Sequence, residues 1–535
     1  MNNTARRDVM KMLGLGAGAA AVPAVAAQAN ARASASGIFD VRSFGATGDG
    51  NTLDTAAINR AIEAASGAGG GVVRFPSGTY LSYSIRLKSN VTLLLETGTR
   101  VIGADSPMEG NSVNPSAAYD AAEPNQPWEA YQDYGHNHWH NSLMWGENLH
   151  DVAIVGPGLI WGRGLSHGRS REPGPIAEHP GVGNKAIALK NCRNVLLRDF
   201  AILHGGHFGI LATGVDNLTI DNLLIDTIRD GMDIDCCRNV RVSNCAVNSP
   251  WDDGICLKSS YALGEARSTD MVTITNCFVS GSFMEGALLD ASFKKFAPDY
   301  RVPRTGRIKF GTESNGGFRN ITISNCVFDG CQGLALESVD GALLEDVSVT
   351  NLTMRDIVSA PLFVRLGRRM RGPEGRPVGT LKRVIIGNLV CHNAGARTSS
   401  LIVGIPDHAI EDFKVHDVYI EHKGGGTAEW AAAQPTEQET NYPDPGRFGA
   451  TPSQGFYIRH VKNLDMSNIE IAAEAPDVRS AFVLKDVDGA DFFRIKAPHA
   501  DGSPLFLLTN VSDFSVARAK GIPDTHIDHA EEKKL

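Results

Sequence analysis

Two short stretches carry most of the chemistry legible in this 535-residue chain. "RDGMDID" holds Asp230, Asp233 and Asp235, and "SPWDDGICLKSS" sets Asp252 beside Asp253 and follows them with Lys258. Adjacent carboxylates repel each other, and burying one unpaired is costly, so the pair needs a reason. Asp230 precedes Asp252 by 22 positions and Asp253 by 23. If that interval is one structural repeat, the three carboxylates meet on neighbouring strands about 4.8 Å apart. Crowded like charges raise one pKa, which keeps one acid protonated near neutrality while another stays ionised. An acid and a water-activating base are what hydrolysis of a glycosidic bond needs, roughly 6.5–9.5 Å apart in inverting enzymes. Asp233 and Asp235, further along the same strand, read as structural acids.

The interval is a repeat. From about residue 190 one phrase recurs: an Asn or Asp, alternating apolar residues, a second Asn or Asp, then another apolar run. "NLTIDNLLID", "NVRVSNCAVN" and "NITISNCVFD" are examples. The middle positions are Asp199, Asn222, Asn244, Asn276, Asn325, Asn351, Asn388, Asp417 and Asn468. Their spacing never falls below 22 residues and often exceeds it, as one rung plus loops of varied length would. A unit of two or three short strands cannot bury its apolar face alone, so the units must coil and stack. The asparagines then line one bend, where their amides tolerate the left-handed region and bond adjacent turns. The expected fold is all-β, a right-handed parallel β-helix over residues 36–520. Apolar residues at helical spacing from Ala56 to Ala65 predict a short helix capping its N-terminal end. The Ala-, Pro- and Gly-rich stretch 424–453 reads as a long loop, and residues 521–535 as a polar tail.

Composition narrows the partners. A formal net charge of −9 and a pI near 6.0 disfavour nucleic acid and anionic membranes. Residues 1–35 read as a twin-arginine export signal: Arg6 and Arg7, a weakly apolar Ala/Gly run, then small residues such as Ala27 and Ala29 that suit cleavage. The mature protein is therefore expected to be periplasmic or secreted, with no membrane partner once the signal is removed. Of nine cysteines, Cys245, Cys277 and Cys326 each follow an asparagine, a placement that suggests small apolar side chains stacked in a core. No cysteine or histidine spacing matches a zinc site, and no cofactor is implied.

The residues assembled so far resemble glycoside hydrolase family 28, the polygalacturonase-like pectin hydrolases. The likeness rests on "FDVRSFGATGDGNTLDTAAINRAIEAASGAGGGVVRFPSGTYL", on "GPGLIWGRG", and on "RDGMDIDCCRNVRVSNC" followed by "WDDGICLKSS". It covers most of residues 38–500 and implies a right-handed parallel β-helix acting on pectin-type poly- or oligosaccharide. Carried over, it implies Asp252 as general acid, with Asp230 and Asp253 holding the attacking water. Lys258 stands where the family often has a lysine.

Two family motifs are absent. Where a Gly-His-Gly is expected the chain has "TGRIKFGTES", reached through an insertion carrying Phe283, Phe293, Phe296 and Tyr300. Arg307 or Lys309 occupies that space, and Glu313 matches the acid that often closes the block. The family's Arg-Ile-Lys strand should fall at "GLALES", where Ala335 and Glu337 replace the cations. The "RIK" of Arg307–Lys309 thus lies a rung too early. Arg365 and Arg368 are the candidates to compensate, since losing a bidentate arginine removes a well-defined carboxylate contact. The insertion would wall one end of the cleft and favour exo action.

Further candidates lie in "HNHWHNSLMWG". His136, His138 and His140 alternate, so on a strand they would share a face. Sugar binding with Trp139 or Trp145 as a stacking platform is the favoured reading, ahead of packing and of a metal site that lacks a companion carboxylate at recognisable spacing. His204 and His207 in "LHGGHFG", one rung before Asp230, are candidate subsite residues. Two other functions stay open: a polysaccharide lyase, with the aspartates as calcium ligands, and a non-catalytic carbohydrate-binding β-helix.

Overall fold

The computed structural model describes residues 37–106, 118–133, 135–167, 179–498 and 502–535. The export signal read at residues 1–35 lies outside them. Among the described residues thirty-four strands join one continuous hydrogen-bonded array, and every pairing of named strands but the last is parallel. The chain winds as a parallel β-helix.

One sheet of that helix positions the site. In chain order its strands are β1 (Lys185–Lys190), β2 (Phe208–Thr213), β3 (Asp230–Asp235), β4 (Ile255–Ser259), β5 (Ile308–Ser314), β6 (Leu334–Ser338) and β7 (Leu362–Leu366). Inward positions stack in files: Ile210, Met232, Ile255 and Ile308 form one, and Ala212, Ile234, Leu257, Phe310, Leu336 and Val364 another. All are buried in one continuous core, where each large aliphatic side chain contributes about 1.5–3 kcal/mol. The intervening side chains point outward, and these are the charged ones: Asp233, Asp235, Lys258, Lys309, Glu337 and Arg365.

Glycines keep the rungs close at the start of these strands. A Cβ on Gly231 would stand 2.4 Å from the Gly254 carbonyl, and one on Gly209 would stand 2.5 Å from the Gly231 carbonyl. The residue after Asp230 is therefore glycine for packing reasons, while a Cβ on Gly254, after Asp253, would stand a looser 3.2 Å from the Gly306 carbonyl. The close approach brings the two aspartates together.

All nine middle positions of the repeat adopt φ between 54° and 71°. Their amides bond along the stack: Asn222 donates to Asp199 at 2.9 Å and Asn351 donates to Asn325 at 3.0 Å. Every cysteine is buried and free, as stacking in the core requires. The capping helix α1 (Thr55–Gly67) turns Ile58, Ala61, Ile62 and Ala65 onto the first rungs. Residues 424–453 form a loop holding one helical turn at Ala428–Ala431 and a 3-10 turn at Pro445–Phe448.

The far end departs from expectation. The last residues are no free tail: β9 (Thr525–Lys534) pairs antiparallel with β8 (Phe506–Ala517) and covers the terminal edge. An uncapped rung would expose a row of unpaired backbone groups, which outweighs the polar composition of this segment.

Candidate active site

Asp230 opens β3, and Asp252 and Asp253 lie in the turn entering β4. Each offers an oxygen within 4.8 Å of the other two. That is closer than the acid–base spacing expected from the sequence. Asp253 is buried and held by two cations, Arg307 just before β5 with its Nε at 2.9 Å and Lys309 of β5 with its Nζ at 3.1 Å. Burial alone would raise its pKa, but Lys309 and Arg307 outweigh it and hold the carboxyl at about 2. Asp230 has no such partner, so burial and then Asp252 and Asp233 push it well above the usual carboxylate range. Asp252 is the most accessible of the three, its side chain 27% exposed and bonded by Arg229 at 2.8 Å. Burial raises its pKa, and Arg229 opposes the rise. The site thus holds one carboxyl whose pKa is held low beside two whose pKa values are raised.

Around this core the outward face is a lattice of paired charges. Lys258 Nζ lies 3.1 Å from Glu313 and 3.7 Å from Asp233. His136 stands between the same two acids, at 3.0 Å from Glu313 and 2.8 Å from Asp233. Burial opposes its charge, yet Glu313 and Asp233 raise the imidazole to about 10, so it is an imidazolium at neutral pH. Glu337 faces Arg307 at 3.7 Å and Lys309 at 3.8 Å. Asp235 bonds the Ser260 backbone and hydroxyl, at 2.8 and 2.6 Å, and is structural.

Arg307 and Lys309 therefore face the acid cluster from the rung that follows β4, and "GLALES", with Ala335 and Glu337, forms β6 one rung further on. The insertion loops out ahead of β5 and leaves β4 and β5 adjacent. Glu285, within it, reaches His204, whose imidazole burial and His167 push down to about 4. Trp161 also donates to His204, at 3.1 Å. His207 is buried against Phe208, whose register partner is Asp230.

Several candidates are placed differently. Arg365 is buried and spends its guanidinium on the carbonyls of Gly404 and Glu437, at 2.9 and 2.8 Å, so it compensates for no missing cation. Arg368 is half exposed and pairs with Glu439 at 2.7 Å. Trp139 is no stacking platform: it is buried among Ala188, Phe208 and Leu211, donates to Thr213 at 3.1 Å and lies under Lys190. The three histidines share no face, because their segment is a turn and not a strand. His138 bonds Glu129 at 2.9 Å, and His140 bonds Glu147 at 3.0 Å while stacking on Trp145. His140 does have acidic companions, Glu123 and Glu147, but Lys190 and backbone amides already pair with them.

Tyr442 went unread in the sequence. It comes from the 424–453 loop, and its hydroxyl accepts from Lys309 at 3.3 Å over the cluster. Nothing local marks a tyrosine 133 residues away. Trp251, 45% exposed beside Asp252, had a signal in its adjacency and offers a face to a sugar ring.

Comparisons with known proteins agree with this geometry. Residues 38–133 match the family "Rhamnogalacturonase A/epimerase, pectate lyase-like", and residues 185–359 match "Right handed beta helix region". The class is thus the right-handed parallel β-helix. Within it the chain is polygalacturonase-like, akin to glycoside hydrolase family 28, at low identity. A probable polygalacturonase of Vitis vinifera is 22% identical over 337 residues, 58% of this chain and 60% of that protein. The chain thus spans less than two thirds of that relative. Two solved structures share the fold at 18% identity. The exopolygalacturonase of Thermotoga maritima has a TM-score of 0.59 over 81% of this chain and 91% of its own. The family 28 exopolygalacturonase of Yersinia enterocolitica has a TM-score of 0.61 over 86% and 79%.

Proposed function

We propose that the chain is an exported glycoside hydrolase that cleaves galacturonosyl-type linkages in pectin with inversion. The observation that carries this reading is the split among the three aspartates: one pKa held low by its cations and two raised by burial, all around one point. Asp252, open to the cleft, gives its proton to the glycosidic oxygen as the bond from that oxygen to the anomeric carbon breaks. A water held by Asp253 attacks the anomeric carbon from the other side and passes its proton to that carboxylate. Asp230, its pKa raised by burial and by Asp252, helps to hold the water. Twin-arginine export rests on the sequence of residues 1–35.

A lyase fits less well, because Arg307 and Lys309 already pair with Asp253, one of the three acids that would have to hold calcium. The same pairing commits the Arg307 guanidinium to Asp253, away from a uronate at the cleaved bond, which favours rhamnogalacturonan-type over plain polygalacturonan substrates. The insertion beside Asp252 supports exo action.

The test is reducing-end release from polygalacturonan and from rhamnogalacturonan oligomers. Wild type is expected to cut, without EDTA sensitivity or an unsaturated product. Asp252→Asn is expected to lose about 10²–10⁴-fold in kcat, the worth of a general acid. The first product, followed by NMR, should show the inverted anomer. Because the oxygens stand so close, a retained anomer would make Asp253 a nucleophile.

A further inference from the structure

Upstream of the acids the same sheet face carries a cavity of about 340 Å³ beneath the segment 122–141. Lys185, Phe208 and Asp230 share one row across β1, β2 and β3. Asn184, next to Lys185, walls the cavity, which therefore lies two strand spacings, about 10 Å, from the acid cluster.

Polar atoms without partners set this cavity apart. Gln132 lines it, is 8% exposed, and bonds through neither its Oε1 nor its Nε2. Glu129 Oε2, Asn137 Oδ1 and His138 Nδ1 belong to other lining residues, and they too are buried and unbonded. Each such atom is costly to bury when nothing meets it. Asn184 and Asn141 both turn their oxygens to Lys185 Nζ, at 2.5 and 3.4 Å, which leaves their N–H₂ ends for the cavity. Donors and acceptors thus alternate around one small space. Hydroxyl groups, which both donate and accept, are their complement.

A carboxylate is not. Glu129 and Asp133 put acids on the wall, and Arg371 is already paired with Asp133 at 2.5 Å. Burial moreover pushes the Lys185 amine down to about 7, so it is a weak attractor at neutral pH. We propose that this cavity is a subsite for a neutral pyranose ring near the cleaved bond. The volume is at the small end of ligand pockets, which run roughly 300–1,000 Å³, and suits one or two rings. The inference rests on the hydrolase reading and narrows it: the substrate mixes neutral sugars with acidic ones.

The test titrates the full chain, by calorimetry or ligand-observed NMR, with the methyl glycosides of rhamnose, galactose and galacturonic acid. A neutral glycoside is expected to saturate, and Gln132→Leu to weaken it about tenfold, the equivalent of one lost bond. Glu129→Gln keeps the shape and removes the charge, so the preference for neutral over acidic glycoside should narrow severalfold. Failure of both neutral glycosides to bind overturns the proposal, as does a galacturonide that is the ligand weakened by Gln132→Leu. Should Gln132→Leu not fold, an unchanged preference in Glu129→Gln is sufficient to overturn it. Polymer cleavage is measured separately. Binding that depends on Gln132 without cleavage defeats the hydrolase reading alone, and cleavage without such binding defeats the subsite alone.

Discussion

The asparagine bends and the charged sheet face are built from the same rungs, yet they satisfy their polar groups by opposite means. At the bends like meets like: Asn239 donates to Asn217 at 2.7 Å and Asn217 donates to Asn194 at 2.8 Å. Every amide finds a partner because the rung above repeats the rung below. On the charged face nothing repeats. Asp253 depends on Arg307 one strand later, Glu313 on His136 from a distant turn, and Lys309 on Tyr442 from a loop. A polar group that recurs is paired by the architecture itself. One that does not recur must be paired individually, and a buried charge leaves little tolerance for error.

The strongest challenge to that contrast is to remove one cation. Lys309→Met deprives Asp253 and Glu337 of a shared partner inside a dry site, and breaking a buried pair costs about 3–5 kcal/mol. Denaturant unfolding should show that loss in full. A loss below about 1 kcal/mol would mean that the pair behaves like a surface ion pair, and the contrast would fail. Adding Glu337→Met should recover part of the stability, because it removes an acid left unpartnered.

The same contrast explains what could be read from the chain beforehand. The β-helix was legible because its signal recurs: nine asparagine or aspartate bends, each with φ above 50°. Asp230 and the Asp252–Asp253 pair were legible because one rung separates them, and the register from Met232 to Ile255 makes that step 23 residues, level with Asp253. Partners supplied by loops were not. No periodicity links His136 to Asp233 or Tyr442 to Lys309, and Arg365 looks like a free cation until the carbonyls of Gly404 and Glu437 are seen to hold it. Trp139 misled for a related reason, since alternation in a turn carries no face. The C-terminal strand hid because it is polar, pairing through its backbone and burying little.

A smaller effect, visible as a slope against pH, tests the loop-supplied partner. His136 is raised to about 10 in the fold from about 6.5 in the unfolded chain. Its contribution is therefore complete below about 6.5 and is lost as the pH rises through about 10. Asp253 runs the other way: its folded value of about 2 lies under an unfolded value of about 3.9, so its contribution is lost as the pH falls towards 2. Stability measured from pH 6 to 10 should decline in the wild type, and His136→Gln should flatten that decline. An unchanged slope would show that Asp233 and Glu313 do not depend on the imidazolium.

The smallest expected effect lies on the ladder. Asn244 donates to Asp221 at 2.8 Å, accepts from Asn276 at 3.3 Å, and holds φ at 57° on an exposed bend. Asn244→Ala loses the amide but keeps the Cβ in the left-handed region, now without the local bonds that let asparagine tolerate it, where the strain is about 1–2 kcal/mol. Asn244→Gly loses the amide but keeps the backbone free, so it should cost less than alanine. If the ladder is self-paired, the gap between the two variants measures the backbone term, and the glycine loss that remains measures the amide bonds. Both should stay well under the loss from Lys309→Met and leave polymer cleavage unchanged. An asparagine variant that matched the lysine in stability would show that repetition alone does not make a polar group inexpensive to replace.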